Sequence, residues 1–237
     1  MIIEGRNAVR EALQSNTTID KILVANGLHD GRLGMLVTRA KELHIRVSYV
    51  DKAVLDRTSV TKHHQGIIAF VTDFEYANLD AVLAARKGEH HFILVLDEIE
   101  DPHNFGSIVR VAECMGVDGI VIGARRQVPV NETVIKASAG ATQHMTIAKV
   151  GNVNDAIRTL RDRFITVLAL DMDGTPIADA PLSGDIALVV GNEGRGVKPL
   201  TRKLCDGAVS IPMYGHIESL NASVATGIAL YEARRKR

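Results

Sequence analysis

The chain has 237 residues, of which 46% are hydrophobic and 24% charged, and its 28 Lys+Arg cancel its 28 Asp+Glu. This is an ordinary globular mix, long enough to fold without disulfide staples, and it excludes bulk disorder. Cys114 and Cys205 lie far apart without metal-ligand spacing, the apolar runs are strand-length, and the opening MIIEGRNAVREAL has no apolar signal segment; these features point to a cytoplasmic protein with reduced thiols, no metal centre and no membrane contact.

Charge neutrality averages two unequal parts. Up to Thr72 there are ten Lys/Arg against seven Asp/Glu, a net of +3, and the remainder carries −3. In this first part the pattern predicts a short helix at 7–13, a strand at 21–25, a helix at 32–43 and a strand at 45–50. A short helix at 51–57 and a β-branched strand at 66–71 complete it. His63 and His64 precede that last strand without a visible carboxylate or cysteine partner. The stretch 73–90 loses its period and reads as a linker, with Asn78 placed to cap a short helix at 79–86. The alternative is that this helix belongs to the second domain.

From His91 strand and helix alternate. Strands are expected at 92–97, 119–122, 145–148, 165–170, 186–190 and 209–211. Helices are expected at 105–115, 132–137, 153–161 and 219–234, with a shorter one near 197–204. Nearly continuous Val/Ile/Leu strands separated by helices predict a parallel sheet buried on both faces. The predicted class is therefore α/β: a small α/β domain at 1–72, a linker at 73–90 and a parallel-sheet domain at 91–237.

Open parallel sheets bind ligands at the carboxyl ends of their strands, so the turns after three strands draw the chemistry. After 92–97 come Asn104 and Ser107, either able to cap a helix, and Arg110 within two turns; a capping Asn and an ordinary surface Arg would read the same way. After 186–190 comes Gly191-Asn192-Glu193-Gly194-Arg195-Gly196, a glycine-rich turn that brings backbone N–H groups near a ligand. Its spacing is not the dinucleotide fingerprint, and Glu193 in its middle discourages a plain phosphate cradle. A tight turn with no ligand stays open. After 209–211, Ser219 is a natural N-cap, and Asn221 and Ser223 are poor helix-interior choices unless they bond something. His103 and His216 are weaker candidates for general bases, and Cys114 reads as a core thiol.

Read together and in order, LDEIEDPHNFGSIVRVAECMGVDGIVI, LVVGNEGRGV and IPMYGHIESLNASVATGIALYEARR resemble the three motifs of the SpoU/TrmH family of RNA ribose 2′-O-methyltransferases, within the SPOUT superfamily. The nearest subgroup is the RlmB type, which methylates a guanosine ribose in large-subunit rRNA. The stretch ending HHQGIIAFV looks like the ribosomal-protein-like RNA-binding domain that some members carry. The resemblance implies a sheet whose C-terminal chain forms a deep trefoil knot, and a homodimer with its cleft at the subunit interface. It also implies S-adenosylmethionine bound by Gly191, Asn192, Ile211, Met213, Leu220 and Asn221. The catalytic set it implies is Asn104, Arg110, Glu193, Ser219 and Asn221, with rRNA as the foremost partner and tRNA as the alternative. A nucleotide-dependent α/β enzyme is the reading from a different class. The family assigns Arg110 as the base, although a guanidinium holds its proton tightly. A phosphate clamp that also stabilises alkoxide charge suits it better, with Glu193 expected to hold it. In the +3 region, Arg6, Arg10, Arg32, Arg39, Lys52 and Lys62 are the expected readers of RNA.

Overall fold

In the first unit, Met1–Glu75, strands β1 (Ile2–Glu4), β2 (Thr18–Ala25), β3 (Arg46–Val50) and β4 (Ile67–Thr72) form one sheet in the order β1-β4-β2-β3. β4 pairs antiparallel with both β1 and β2, whereas β2 and β3 run parallel. The computed structural model describes residues 2–14, 17–27, 30–72, 74–217 and 219–237. Period-two alternation sends Ile22, Val24, Ile67 and Ala69 to one face. There they meet Val9, Ala12 and Leu13 of α1 (Arg6–Gln14) and Leu33, Leu36 and Val37 of α2 (Gly31–Glu42). On the opposite face Leu23, Ala25 and Ile68 pack on Leu55 of α3 (Lys52–Thr58). β1 carries no sequence signal, because three residues are too few to show alternation.

His64 differs from expectation. It is buried, with Nε2 2.9 Å from Asp56 Oδ1 and Nδ1 accepting from Gly66 N at 3.0 Å. The carboxylate partner arrives from α3, eight residues upstream, and the pair braces the turn into β4. Three of the six basic residues expected to read RNA are tied within this unit. Arg6 bonds Asp30, Arg39 bonds Glu42, and the Lys62 ammonium donates to Asp56 O.

The second unit is Tyr76–Arg237. Of the expected linker, Asp73 lies outside the described residues. Ala77 bridges to Ala148, and Asn78 caps α4 (Leu79–Ala84), whose Val82 and Leu83 are buried in the second core. That helix thus belongs with the second unit, the alternative the sequence left open.

Six strands make an all-parallel sheet: β5 (Phe92–Asp97), β6 (Gly119–Gly123), β7 (Thr146–Val150), β8 (Thr166–Pro176), β9 (Ile186–Gly191) and β10 (Gly207–Ser210). Their order is β10-β8-β9-β5-β6-β7. β5, β6 and β9 are buried at every position, as a sheet covered on both faces requires. Ile93, Val95, Val121, Val167 and Val189 pack on Val153, Ile157 and Leu160 of α7 (Val153–Asp162). α8 (Pro199–Leu204) lies beside α7. α5 (Pro102–Cys114) packs against α6 (Glu132–Ala137) and α9 (Ala222–Arg235), the last leaning on β9.

β8 runs six residues past the expected end. Its register to β10 jumps: Ala208 faces Ala169 and Val209 faces Thr175. The intervening 170–174 segment is an excursion from the ladder. No helix of the described residues is long and apolar enough to cross a membrane. Cys114 is exposed and Cys205 buried; burial pushes the Cys205 thiol up to about 11.

Candidate active site

Three segments converge at the carboxyl end of the parallel sheet. β9 delivers Gly191 into the turn 192–197, which Asn192 and Gly196 close by exchanging backbone bonds of 3.1 and 2.8 Å. A Cβ on Gly191 would stand 2.1 Å from Gly196 C and 2.2 Å from Val197 N, so no other residue fits. Gly196 has φ 65°, a backbone conformation natural to glycine. The Asn192 side chain stiffens the turn: Oδ1 accepts from Gly194 N, and Nδ2 donates to Glu98 O, both at 3.0 Å. Glu193 is left exposed at the tip.

α5 begins one turn earlier than predicted. Asp101, not Asn104 or Ser107, is the cap, its carboxylate accepting from Asn104 N at 2.9 Å, because Pro102 fits the first helical position, which needs no N–H. The Asn104 side chain, freed from capping, donates to Glu193 Oε1 at 2.5 Å.

α9 begins later than predicted. Asn221, not Ser219, is its cap, with Oδ1 accepting from Ser223 N at 2.9 Å and Ser223 Oγ at 2.6 Å. Asn221 Nδ2 then donates to Glu193 Oε1 at 2.6 Å and Asn104 Oδ1 at 2.9 Å. A single carboxylate oxygen thus gathers two amides from helix starts far apart in the chain.

Beside this cluster lies a cleft of about 410 Å³, within the usual size range of small-molecule sites. Gly191, Asn192, Ile211, Met213 and Leu220 line it, as does Ser219, and Asn221 stands next to it through its bond to Glu193. Sequence reasoning missed a further part of the lining, Leu170, Asp171 and Met172 from the β8 excursion. Its only signal was a strand pattern that fades after Leu170. The backbone groups of Ile211, Met213 and Leu220 have no hydrogen-bond partner among the described residues. They are available to a ligand.

Arg110 is not drawn into the cluster. Six residues beyond Asn104, it is roughly a third of a turn away around the helix. It is exposed, with no hydrogen bond or ion pair among the described residues. Glu193, expected to hold it, is engaged by Asn104 and Asn221 instead. α5 and α9 run side by side, Asn104 by Asn221, Val111 by Gly227 and Gly116 by Arg234. His103 and His216 are exposed. Among the described residues no cluster of His, Cys, Asp or Glu has metal-binding geometry.

Two family models match the chain. Residues 91–231 match the SpoU rRNA methylase family, and residues 2–77 match an RNA 2′-O ribose methyltransferase substrate-binding domain. A Staphylococcus saprophyticus protein named as a TrmH family tRNA/rRNA methyltransferase is 39% identical, covering 100% of this chain and 96% of its own. YacO of Bacillus subtilis, named likewise, is 41% identical over 98% and 94%. Among solved structures, an AdoMet-bound rRNA methyltransferase from Sinorhizobium meliloti superposes with a TM-score of 0.63 at 25% identity, covering 99% of this chain and 86% of that one. AviRb from Streptomyces viridochromogenes, a SpoU methyltransferase in complex with AdoMet, gives 0.63 at 22% over 100% and 89%, a likeness of fold.

Proposed function

The chain belongs to the SpoU rRNA methylase family, and on that premise we propose that it methylates the ribose 2′-hydroxyl of a guanosine in large-subunit rRNA. At the coarser level it is an RNA methyltransferase of the SpoU/TrmH family whose cofactor is S-adenosylmethionine. The observation that supports transfer to a ribose hydroxyl is the Asn104–Glu193–Asn221 cluster at the edge of the cleft; the choice of a guanosine in large-subunit rRNA follows the motif resemblance.

The residues fit a sulfonium-bearing nucleoside. Leu170, Val190 and Ile211 offer apolar walls, and the Asp171 and Glu193 carboxylates suit a positive centre. The unpartnered backbone groups of Ile211, Met213 and Leu220 suit the edge of a purine. When bound, the cofactor supplies an electrophilic methyl group. The protein's task is then to hold the ribose oxygen in line, which contributes up to about 7–11 kcal/mol. Asn104, locked through Glu193 and Asn221, keeps one amide N–H for that purpose. Ser219 adds a hydroxyl at the cleft. Arg110 clamps the neighbouring phosphate and stabilises the negative charge that develops on the attacking ribose oxygen.

This reading requires a homodimer. Val224, Ile228 and Tyr231 form an exposed stripe on α9 at helical spacing. Arg110, on the helix beside it, finds no partner among the described residues of its own chain. The knotted path of the C-terminal chain, the cytoplasmic location and reading of RNA by the 1–72 domain belong to the same proposal. Calorimetric titration tests it first: S-adenosylmethionine binds, whereas NAD and ATP do not. Labelled-methyl transfer to 23S rRNA, followed by nuclease digestion, then yields 2′-O-methylguanosine. A labelled tRNA nucleoside instead would select the alternative target, and tight NAD or ATP binding would reject the family chemistry altogether.

A further inference from the structure

The buried end of β5 carries two adjacent carboxylates that the reaction does not use. Asp97 is 2% exposed and Glu98 7%, the latter at φ 68°. Two such acids cost considerable desolvation unless a cation meets them. Lys198 does so, its ammonium 3.2 Å from Asp97 Oδ1 and 2.7 Å from Glu98 Oε1. Its backbone N–H also donates to Asp97 Oδ2 at 3.3 Å. Arg126 and Arg195 stand farther from Glu98, at 3.9 and 3.7 Å. Burial by itself lowers the Lys198 pKa, but the bond to Glu98 and the charge of Asp97 outweigh it and hold it above the ordinary lysine value.

The position of Lys198 gives this triad its consequence. Lys198 directly follows the turn 192–197 and caps α8. At the other end of that turn, Asn192 is fastened to Glu98 O, and midway Arg195 reaches Glu100 Oε1 at 3.2 Å. The turn bearing Glu193 is therefore pinned at both ends and in the middle to residues 97–100. Those residues lead directly into the start of α5, where Asn104 sits.

We propose that Lys198 is a positioning residue of the methyl-transfer site: seated on the buried Asp97–Glu98 pair, it locks the cofactor turn to the β5–α5 segment and so fixes Glu193 between Asn104 and Asn221. The proposal rests on the function given above. It acts through geometry, since a displacement of about 1 Å at a reacting centre is enough to cost orders of magnitude in rate.

The test compares Lys198→Met, Lys198→Arg and wild type in the full-length protein. The readouts are S-adenosylmethionine affinity by calorimetry, kcat at saturating cofactor and amide exchange of the 193–197 turn. Lys198→Met weakens cofactor binding and lowers kcat, each by about tenfold or more, and speeds exchange in the turn. Lys198→Arg, which keeps the cation, restores most of all three. Should Lys198→Met fail to fold, the triple variant Asp97→Asn/Glu98→Gln/Lys198→Met, which removes the unpaired charges with the bridge, carries the same expectation. Wild-type affinity, kcat and exchange in a folded variant that lacks the ammonium would overturn the proposal. So would a lowered melting temperature with kcat and affinity unchanged, which marks a purely structural ion pair. A wild-type protein that neither binds S-adenosylmethionine nor methylates RNA would instead refute the function, and the proposal with it.

Discussion

Replacing Gly191 by alanine puts a methyl group into the backbone of its own turn. The added Cβ would lie 2.1 Å from Gly196 C and 2.2 Å from both Gly196 O and Val197 N. These are backbone atoms, so no side chain can swing aside, and the turn must move by about 1.4 Å or more to restore van der Waals contact. Overpacking of this kind costs about 1–3 kcal/mol, which lowers the melting temperature by about 3–10 °C for a domain of this size. The displaced turn carries Asn192 and Glu193, so cofactor affinity falls too, by about tenfold or more. Two neighbours calibrate the effect. Gly194→Ala meets its nearest atom at 3.7 Å and leaves both quantities near wild type. Gly196→Ala has open space but φ 65°, and costs about 1 kcal/mol from backbone strain alone. Thermal melts and calorimetric titration of the three variants give the order Gly191, Gly196, Gly194 from most to least damaging. A Gly191→Ala protein that melts and binds like wild type would refute the close-packed turn.

Four further outcomes are expected. Glu4 accepts bonds from Ser59, Val60 and Thr61, led by the Ser59 hydroxyl, and these hold its carboxyl at about 2; its stabilising effect is fully present above the unfolded value near 4.5 and is lost as pH falls toward about 2. Glu4→Gln should therefore flatten the acid limb of the N-terminal unit's denaturation profile in that window. Lys236 donates to the carbonyls of Ile177, Ala178 and Ala180, and Arg237 to those of Leu182, Gly184, His90 and His91; the double substitution to alanine should cost about 1–3 kcal/mol, read as a drop in melting temperature. Arg110→Lys keeps a point charge but loses the bidentate fork, so kcat on RNA should fall while cofactor affinity holds, and near-wild-type turnover with unchanged RNA affinity would exclude the clamp. Deleting residues 1–72 should leave S-adenosylmethionine binding intact and abolish methylation of structured RNA; full activity of the truncated chain would refute the role given to that domain.

What the sequence displayed and what it hid divide along physical lines. The strands of the parallel sheet were legible because Phe92–Asp97 and Ile186–Gly191 are buried on both faces and must be apolar throughout. The turn at Gly191–Gly196 was legible because close backbone approach at Gly191 and the positive φ of Gly196 call for glycine. The helix starts were misread, since several residues in a row can cap: Asp101 was hidden by Asn104 and Ser107, and Asn221 by Ser219. Those two errors share a consequence, because they obscured that Asn104 and Asn221 turn their amides toward Glu193. Partners remote in sequence left no local trace. Lys198 meets Asp97 across 101 residues, Glu4 meets Ser59 across 55, and Lys236 and Arg237 bond backbone carbonyls more than fifty residues upstream. The expected bond between Glu193 and Arg110 failed because spacing along one helix says nothing about what the third segment, at Asn221, brings to the same carboxylate.

The most direct test of the function is nucleotide-resolution mapping of 2′-O-methylation in total RNA from cells with and without this protein. Loss of a single methylated guanosine in 23S rRNA is the predicted result, restored by the wild-type gene but not by Glu193→Ala. Retention of every 2′-O-methyl mark, or loss confined to methylated bases, would contradict it.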